Sequence, residues 1–262
     1  MTDVLEIAEE GAVATLTLNR PQALNALSEE LMEALQGALD SLNPREDVKA
    51  IVIRGAGKAF CAGHDLREME GKRQSPDGGR AYYQALFAQC SRLMTTIPRQ
   101  PQPVIAEVHG IATAAGCQLV ASCDMAVAAE GTRFGVNGVN IGLFCSTPMV
   151  ALSRNVGRKK SFELLTTGDF VEAGEAQELG LVNRVVPEDE LGEAAQALAA
   201  QVAGKLGPAV RIGKRAFYEQ AEMPLDQAYA HTARAIAENM LHPDTAEGIR
   251  AFLEKRPPRW AD

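Results

Sequence analysis

Two short stretches constrain this chain more than any others: AIVIRG at 50–55 and PVIAEVHG at 103–110. Each is a nearly unbroken apolar run closed by glycine. A strand with one wet face alternates apolar and polar residues. An unbroken run belongs to a strand covered on both faces, as in the parallel sheet of a layered α/β protein. Helical patterns lie between these runs. Ser28 followed by Glu29 and Glu30 caps one, and Leu31, Met32, Leu35, Leu39 and Leu42 form its apolar face. Residues 82–94 repeat the period, and AAGCQLVASCD at 114–124 reads as an apolar helix behind the second strand. The opening VLEIAEEGAVATLTLNRP reads as a hairpin with strands over 4–8 and 13–18, ended by Pro21. The polar 71–79, rich in Gly with one Pro, is a loop, and MAVAAEGTRFG adds a strand and a turn.

Strand and helix alternate to about residue 186, which predicts an α/β core over 1–190 with short right-handed connections. After VVPEDEL the pattern becomes helical only, over 191–202, 209–220, 225–240 and 245–255. Residues 191–262 therefore read as a C-terminal helical region, a lid or an oligomer contact. At 262 residues the chain is near the upper size for one core.

A net charge of -8 repels nucleic acid and anionic membrane, so neither is expected as a partner. Cysteines stand at 61, 90, 117, 123 and 145, an odd count without a CxxC pair and mostly inside apolar runs. They predict reduced, buried thiols and a cytoplasmic location, with no disulfide framework and no metal site. The acidic start MTDVLEIAEEG has neither a signal core nor a transit-peptide composition, and no apolar run is long enough to span a bilayer.

Chemistry is expected at two small-residue turns. KAFCAGHDL at 58–66 and HGIATAAGCQL at 109–119 each end a buried strand, and the second runs straight into a helix whose first N–H groups lack helical acceptors. Facing each other, the turns would offer a pair of backbone donors. Standing alone, they are ordinary tight turns.

With PVIAEVHGIATAAGCQLVASCDMAVA, TRFGVNGVNIGL, GLVNRVVPEDEL, LNRPQALNAL and the terminal AFLEKRPPRW, these segments resemble the enoyl-CoA hydratase/isomerase (crotonase) superfamily over nearly the whole chain. Within it, GVNIGLFCSTP resembles the subgroup called enoyl-CoA hydratase domain-containing protein 3. The resemblance implies a spiral of ββα units (the ClpP/crotonase fold), a helical trimerisation region, and a homotrimer or a hexamer built as a dimer of trimers. It implies a coenzyme A thioester as ligand and no tightly bound cofactor. The thioester oxygen would accept from the N–H groups of His64 and Ala115, an oxyanion hole in which each donor is typically worth ~2.7–4 kcal/mol. Gln22, Ala23 and Leu24 would line the cofactor portion, with Ala62, Asp65 and Leu66 against its adenine end. Phe252 and Lys255 would approach its phosphates, from the same or a neighbouring subunit; Lys255, Arg256 and Arg259 form a basic cluster that otherwise reads as a solvated helix end.

The chain departs from the family where acid–base chemistry is expected. Family members add water with two glutamates; Gln118 and Gly138 occupy those positions. Neither can take a proton near neutral pH, and each such group typically contributes about 10²–10⁴-fold. Hydration is therefore expected to be weak, while isomerisation, decarboxylation, thioester hydrolysis or plain acyl-CoA binding stays open. His64 is either an acid–base group or a polar pocket-rim residue. Cys145 is either a nucleophile or pocket-wall packing. Glu107 and His109 read as a buried structural pair, Asp124 as structural, and Arg158, Lys159 and Lys160 as a solvated surface.

Overall fold

A computed structural model describes residues 4–260. Strand β1 (Leu5–Glu10) pairs antiparallel with β2 (Val13–Leu18). From there β3 (Ala50–Gly55), β4 (Val104–Val108), β6 (Met125–Ala129) and β9 (Arg184–Val186) add in parallel, giving the order β1-β2-β3-β4-β6-β9. A second sheet is built from β5 (Ile111–Thr113), β7 (Arg133–Gly135) and β8 (Phe170–Glu172). The sequence pattern did not separate β5 from β4, because PVIAEVHGIAT bends only at Gly110, whose φ of 63° suits glycine.

The two sheets explain how the chain winds. The chain passes from β4 to β5 and from β6 to β7, and each time it then enters a helical segment. Cys61, downstream of β3, bridges Ala112 of β5 in parallel fashion, as β5 pairs with β7. Successive strand–turn–strand–helix units therefore stack, each adding one strand to each sheet. This is the spiral of ββα units that the resemblance implied.

The helices are α1 (Glu29–Leu42), α2 (Leu66–Gly71), α3 (Arg80–Arg99), α4 (Ala115–Ser122), α5 (Pro148–Asn155), α6 (Arg158–Thr167), α7 (Ala173–Glu178), α8 (Leu191–Ala203), α9 (Gly207–Ala221), α10 (Leu225–Met240) and α11 (Pro243–Leu253). Ser28 caps α1 as expected, its Oγ accepting from Leu31 N–H at 3.1 Å. One face of the large sheet forms the main core with α1, α3 and α4: Leu16, Ile51, Ile53, Val104, Ala106 and Val108 meet Leu35, Leu93 and Leu119. The other face is covered by α8, whose Leu191, Ala195, Leu198 and Ala199 pack on Val52, Ile105 and Val127. Coverage of both faces is why those strands read as unbroken apolar runs. Helix α8, the first of the C-terminal helices, thus packs as part of the core.

Asp124, at the end of the α4 segment, anchors α9. Its Oδ2 accepts from Val104 N–H and Lys214 Nζ, each at 2.6 Å, and its Oδ1 accepts from Tyr218 O–H at 2.8 Å. Lys214 and Tyr218 lie on α9, so the structural role expected of Asp124 has named partners. Lys160 likewise bridges Glu163 and Glu175, a surface ion-pair arrangement.

Candidate active site

The two small-residue turns come together through neighbouring strands. Leu27 donates to Gly63 O and accepts from Asp65 N–H, so the N–H and C=O of His64, between them, point the other way. Cys61 bonds Ile111 O and Thr113 N–H in the same manner, which sets the first turn beside the second. A Cβ placed on Gly63 would lie 3.0 Å from Ala114 Cβ and 3.4 Å from Ala115 N. The first helical bond of α4 runs from Gln118 N–H to Ala114 O, leaving the Ala115, Gly116 and Cys117 N–H groups without a helical acceptor. The N–H of Ala115 and the turn that carries His64 are therefore direct neighbours.

This closeness depends on backbone that only small residues permit. A Cβ on Gly116 would lie 2.1 Å from Cys61 O, so α4 starts in direct contact with the other turn. Ala114 sits at φ 49°, ψ -117°, a conformation that an L-residue holds only when its surroundings impose it. Such strain concentrates at functional sites. Sequence reading missed it, since nothing about an alanine signals a positive φ.

The two side chains that reach from the turns toward α3, His64 and Gln118, carry no charge near neutral pH. His64 stacks edge-on against Phe87 of α3, centroids 5.4 Å apart, and burial pulls its pKa down to about 4. It is a neutral imidazole, not an acid–base group poised near 7. Gln118 is buried, its Oε1 accepting from the Cys90 thiol at 3.9 Å. Burial pushes that thiol up to about 12.

The fold itself closes in Gly138. Residues Asn137–Ile141 form a 3₁₀ turn, and the chain folds back so that Leu143 N–H donates to Gly138 O. A Cβ on Gly138 would meet Leu143 O at 2.5 Å and Cys145 Sγ at 2.9 Å. The loop thus occupies the space a side chain at 138 would need. Cys145 is 7% exposed, and burial raises its pKa, opposed in part by the Gly138 N–H beside the sulfur. A nucleophilic cysteine needs the opposite shift. The buried thiol packs beside Gly138 and is not activated where it stands.

The segments expected to hold the cofactor portion also converge. Pro21–Ala23 form a 3₁₀ turn, and Leu24 and Asn25 follow with φ of 51° and 53°. Ala62 N–H donates to Leu24 O, which puts Gln22, Ala23 and Leu24 beside Ala62, Asp65 and Leu66. Arg20 locks this junction by reaching Ala26 O at 2.6 Å and Asp65 Oδ2 at 2.9 Å. Burial works against the Asp65 charge, but Arg20 and the N–H groups of Arg67 and Glu68 hold its pKa below the usual range. Asp65 therefore serves as the N-cap of α2, with only its backbone left to offer a ligand.

One member of the basic cluster is paired within the chain. Arg256 is taken up by Glu247, at 2.6 and 3.1 Å, and by Glu254 at 2.6 Å. Its guanidinium is engaged within the chain. Phe252 is 82% exposed on α11, and Lys255 follows that helix at φ 54°. Neither is placed against the two turns by any contact among the described residues.

Glu107 and His109 do not form a hydrogen-bonded pair: His109 Nε2 lies 2.8 Å from Gly57 O, and Glu107 Oε2 is buried without a partner. Desolvation raises the Glu107 pKa, offset in part by Arg54 and His109. Its folded-state value thus exceeds the unfolded value of about 4.3. This favours folding at low pH, and the advantage is lost as pH rises through the folded value. At pH 8 the ionised side chain is a cost, so Glu107→Gln should stabilise the protein there. Urea unfolding at pH 8 and pH 4 checks this: the gain should vanish at pH 4, and an equal gain at both would refute it.

Thr113 Oγ1 donates to Asn137 Oδ1 at 2.6 Å, tying the end of β5 to the 3₁₀ turn. Neither residue stood out in the sequence, because their pairing exists only after β5 and β7 align. Among the described residues no His, Cys, Asp and Glu cluster could hold a metal ion, and no helix is long and apolar enough to cross a membrane.

A spiral of ββα units with opposed small-residue turns defines a crotonase-fold protein. A family model described as enoyl-CoA hydratase/isomerase matches residues 8–262, and the chain belongs to that family. It is 44% identical to the human enoyl-CoA hydratase domain-containing protein 3, mitochondrial, over 249 residues, covering 95% of this chain and 80% of the relative. The crystal structure of that human protein matches with a TM-score of 0.93 at 42% identity, covering 98% of this chain and 100% of the other. An enoyl-CoA hydratase structure from Mycobacterium smegmatis matches at TM-score 0.95 and 54% identity, covering 99% of each chain.

Proposed function

We propose that this protein binds a coenzyme A thioester and polarises its carbonyl between the N–H groups of His64 and Ala115. The observation that carries the reading is the packing of the two turns, with the position of a Gly63 Cβ 3.4 Å from Ala115 N. Such a pair stabilises the enolate-like states of thioester chemistry. Gln22–Leu24 and Ala62–Leu66 would hold the cofactor portion, and Phe252 and Lys255 its phosphates from a neighbouring subunit. No tightly bound cofactor is needed.

Within a family named for hydration, this chain is a poor hydratase. Gln118 can hold a water but not deprotonate it, and Leu143 and Cys145 fill the space at Gly138. The lack of charge on His64 and Gln118 favours a second reading, an acyl-CoA binding protein without turnover. It leaves room for a family reaction with another proton carrier: isomerisation, decarboxylation or thioester hydrolysis.

Crotonyl-CoA followed at the enoyl thioester absorbance tests the reading, with calorimetry of acyl-CoA binding alongside. Binding with hydration far below the usual ~1–10³ s⁻¹ is the expected result. Full hydratase rates would overturn the argument from Gln118 and Gly138, and no binding would overturn the site. Restoring one carboxylate should be asymmetric. Gln118→Glu should raise hydration by about 10²-fold or more. Adding Gly138→Glu should lower stability without further gain, since its Cβ collides with Leu143 O.

Exposed Phe217, Tyr229, Ile236, Leu241, Phe252 and Leu253 on or beside the last helices favour a homotrimer or hexamer. Light-scattering mass tests that assembly. The acidic net charge argues against nucleic acid or membrane as partner. A cytoplasmic location is proposed from the free, buried thiols, although the human relative is named as mitochondrial.

A further inference from the structure

His64 has a backbone role in the site proposed above, but its side chain has a feature that role does not use. Nε2 is shielded from solvent and has no hydrogen-bond partner among the described residues. Buried polar atoms without partners are rare and costly in native proteins. The imidazole reaches α3 at Phe87, and the Gln118 amide reaches α3 at Cys90. Residues three apart share one helix face. His64 and Gln118 therefore extend from the two turns to neighbouring points on one face of α3.

We propose that the His64 imidazole is a specificity-determining group of this site, hydrogen-bonding an uncharged polar substituent, a hydroxyl or keto oxygen, on the acyl chain of the thioester. The inference rests on the thioester reading, because it needs the carbonyl at the N–H of the same residue. That attachment keeps the ring next to the first carbons of the acyl chain. The chemistry around it selects the substituent. With its pKa at about 4 the imidazole is neutral, Gln118 is neutral, and the Cys90 thiol at about 12 stays protonated. None of these three groups carries a positive charge to hold a carboxylate. A saturated chain would leave Nε2 unpaired, whereas a hydroxyl or keto oxygen satisfies it.

The test compares two thioesters of equal chain length, butyryl-CoA and 3-hydroxybutyryl-CoA, by titration calorimetry, with succinyl-CoA as the anionic control. Wild-type protein should bind 3-hydroxybutyryl-CoA about 10-fold tighter than butyryl-CoA, with succinyl-CoA weaker than either. The ratio should fall to about 1 in His64→Leu and persist in part in His64→Gln, which keeps an uncharged hydrogen-bonding group. A ratio of 1 in wild type, or one unchanged in His64→Leu, overturns the proposal while leaving the thioester site standing. If His64→Leu fails to fold, the wild-type ratios and His64→Gln still decide. If no CoA thioester binds, the proposed function falls together with this inference.

Discussion

Replacing Lys214 with methionine is expected to cost about 3–5 kcal/mol, the usual consequence of removing one partner from a buried ion pair. The ammonium lies 2.6 Å from Asp124 Oδ2 and also donates to Ile97 O at 3.1 Å and Gln102 O at 2.9 Å. Side-chain exposure is 7% for Lys214 and 13% for Asp124, so solvent cannot take over when one partner is lost. Methionine fills the aliphatic path of the lysine but leaves a buried carboxylate facing two carbonyl groups. Tyr218 and the Val104 N–H still hold Asp124, which should keep the fold from collapsing outright. Urea unfolding measures the loss. The double variant Asp124→Asn with Lys214→Met should recover part of it, because the stranded charge goes as well. The exposed Arg73–Glu70 pair is the control, and its removal should leave the midpoint unchanged. Equal effects for the two pairs would remove the case for Lys214 and Asp124 as the anchor of α9.

Gly116→Ala should be nearly as damaging and should also disable the site. The added methyl would stand 2.1 Å from Cys61 O and 2.8 Å from its carbonyl carbon, both backbone atoms that no rotamer change can move aside. Helix α4 must back away from the 61–64 turn, at a cost of about 3 kcal/mol. The movement also separates His64 N–H from Ala115 N–H. A misplacement of ~1 Å can cost about 10²-fold in a positioned reaction, so any turnover of the thioester should drop by about that factor, and acyl-CoA affinity should fall with it. Calorimetric titration and thermal melting read the two effects. Gly37→Ala in α1 offers the contrast: its Cβ would meet nothing within 4 Å, so the helix should gain up to about 1 kcal/mol. Undiminished thioester binding by Gly116→Ala would show that the contact between the turns is dispensable.

Much of this architecture was legible before any coordinates. The runs at 50–55 and 103–110 are β3 and β4 with both faces covered, and Ser28 begins α1 where its oxygen caps Leu31. The small residues at 62–63 and 114–116 mark the two turns. Local chemistry accounts for these readings, since caps, glycine turns and apolar periodicity act over a few residues. The second sheet was not legible, because its three-residue strands are too short to show a period. Nor was the fate of the charged groups. Arg256 read as part of a basic cluster until its glutamates came into place, and Glu107 looked paired until His109 turned to Gly57.

By itself, the sequence determined the α/β alternation, the two small-residue turns, and the absence of carboxylates at Gln118 and Gly138. Those are facts of composition at a position or of patterning along a few residues. Only the tertiary structure decided that the turns touch, that Leu143 and Cys145 close the space beside Gly138, and that His64 is neutral with one ring nitrogen unpaired. The physical reason is that protonation and steric room depend on neighbours brought in by distant segments. For His64 the neighbour is Phe87 on α3; for Gly138 it is a loop folding back on itself.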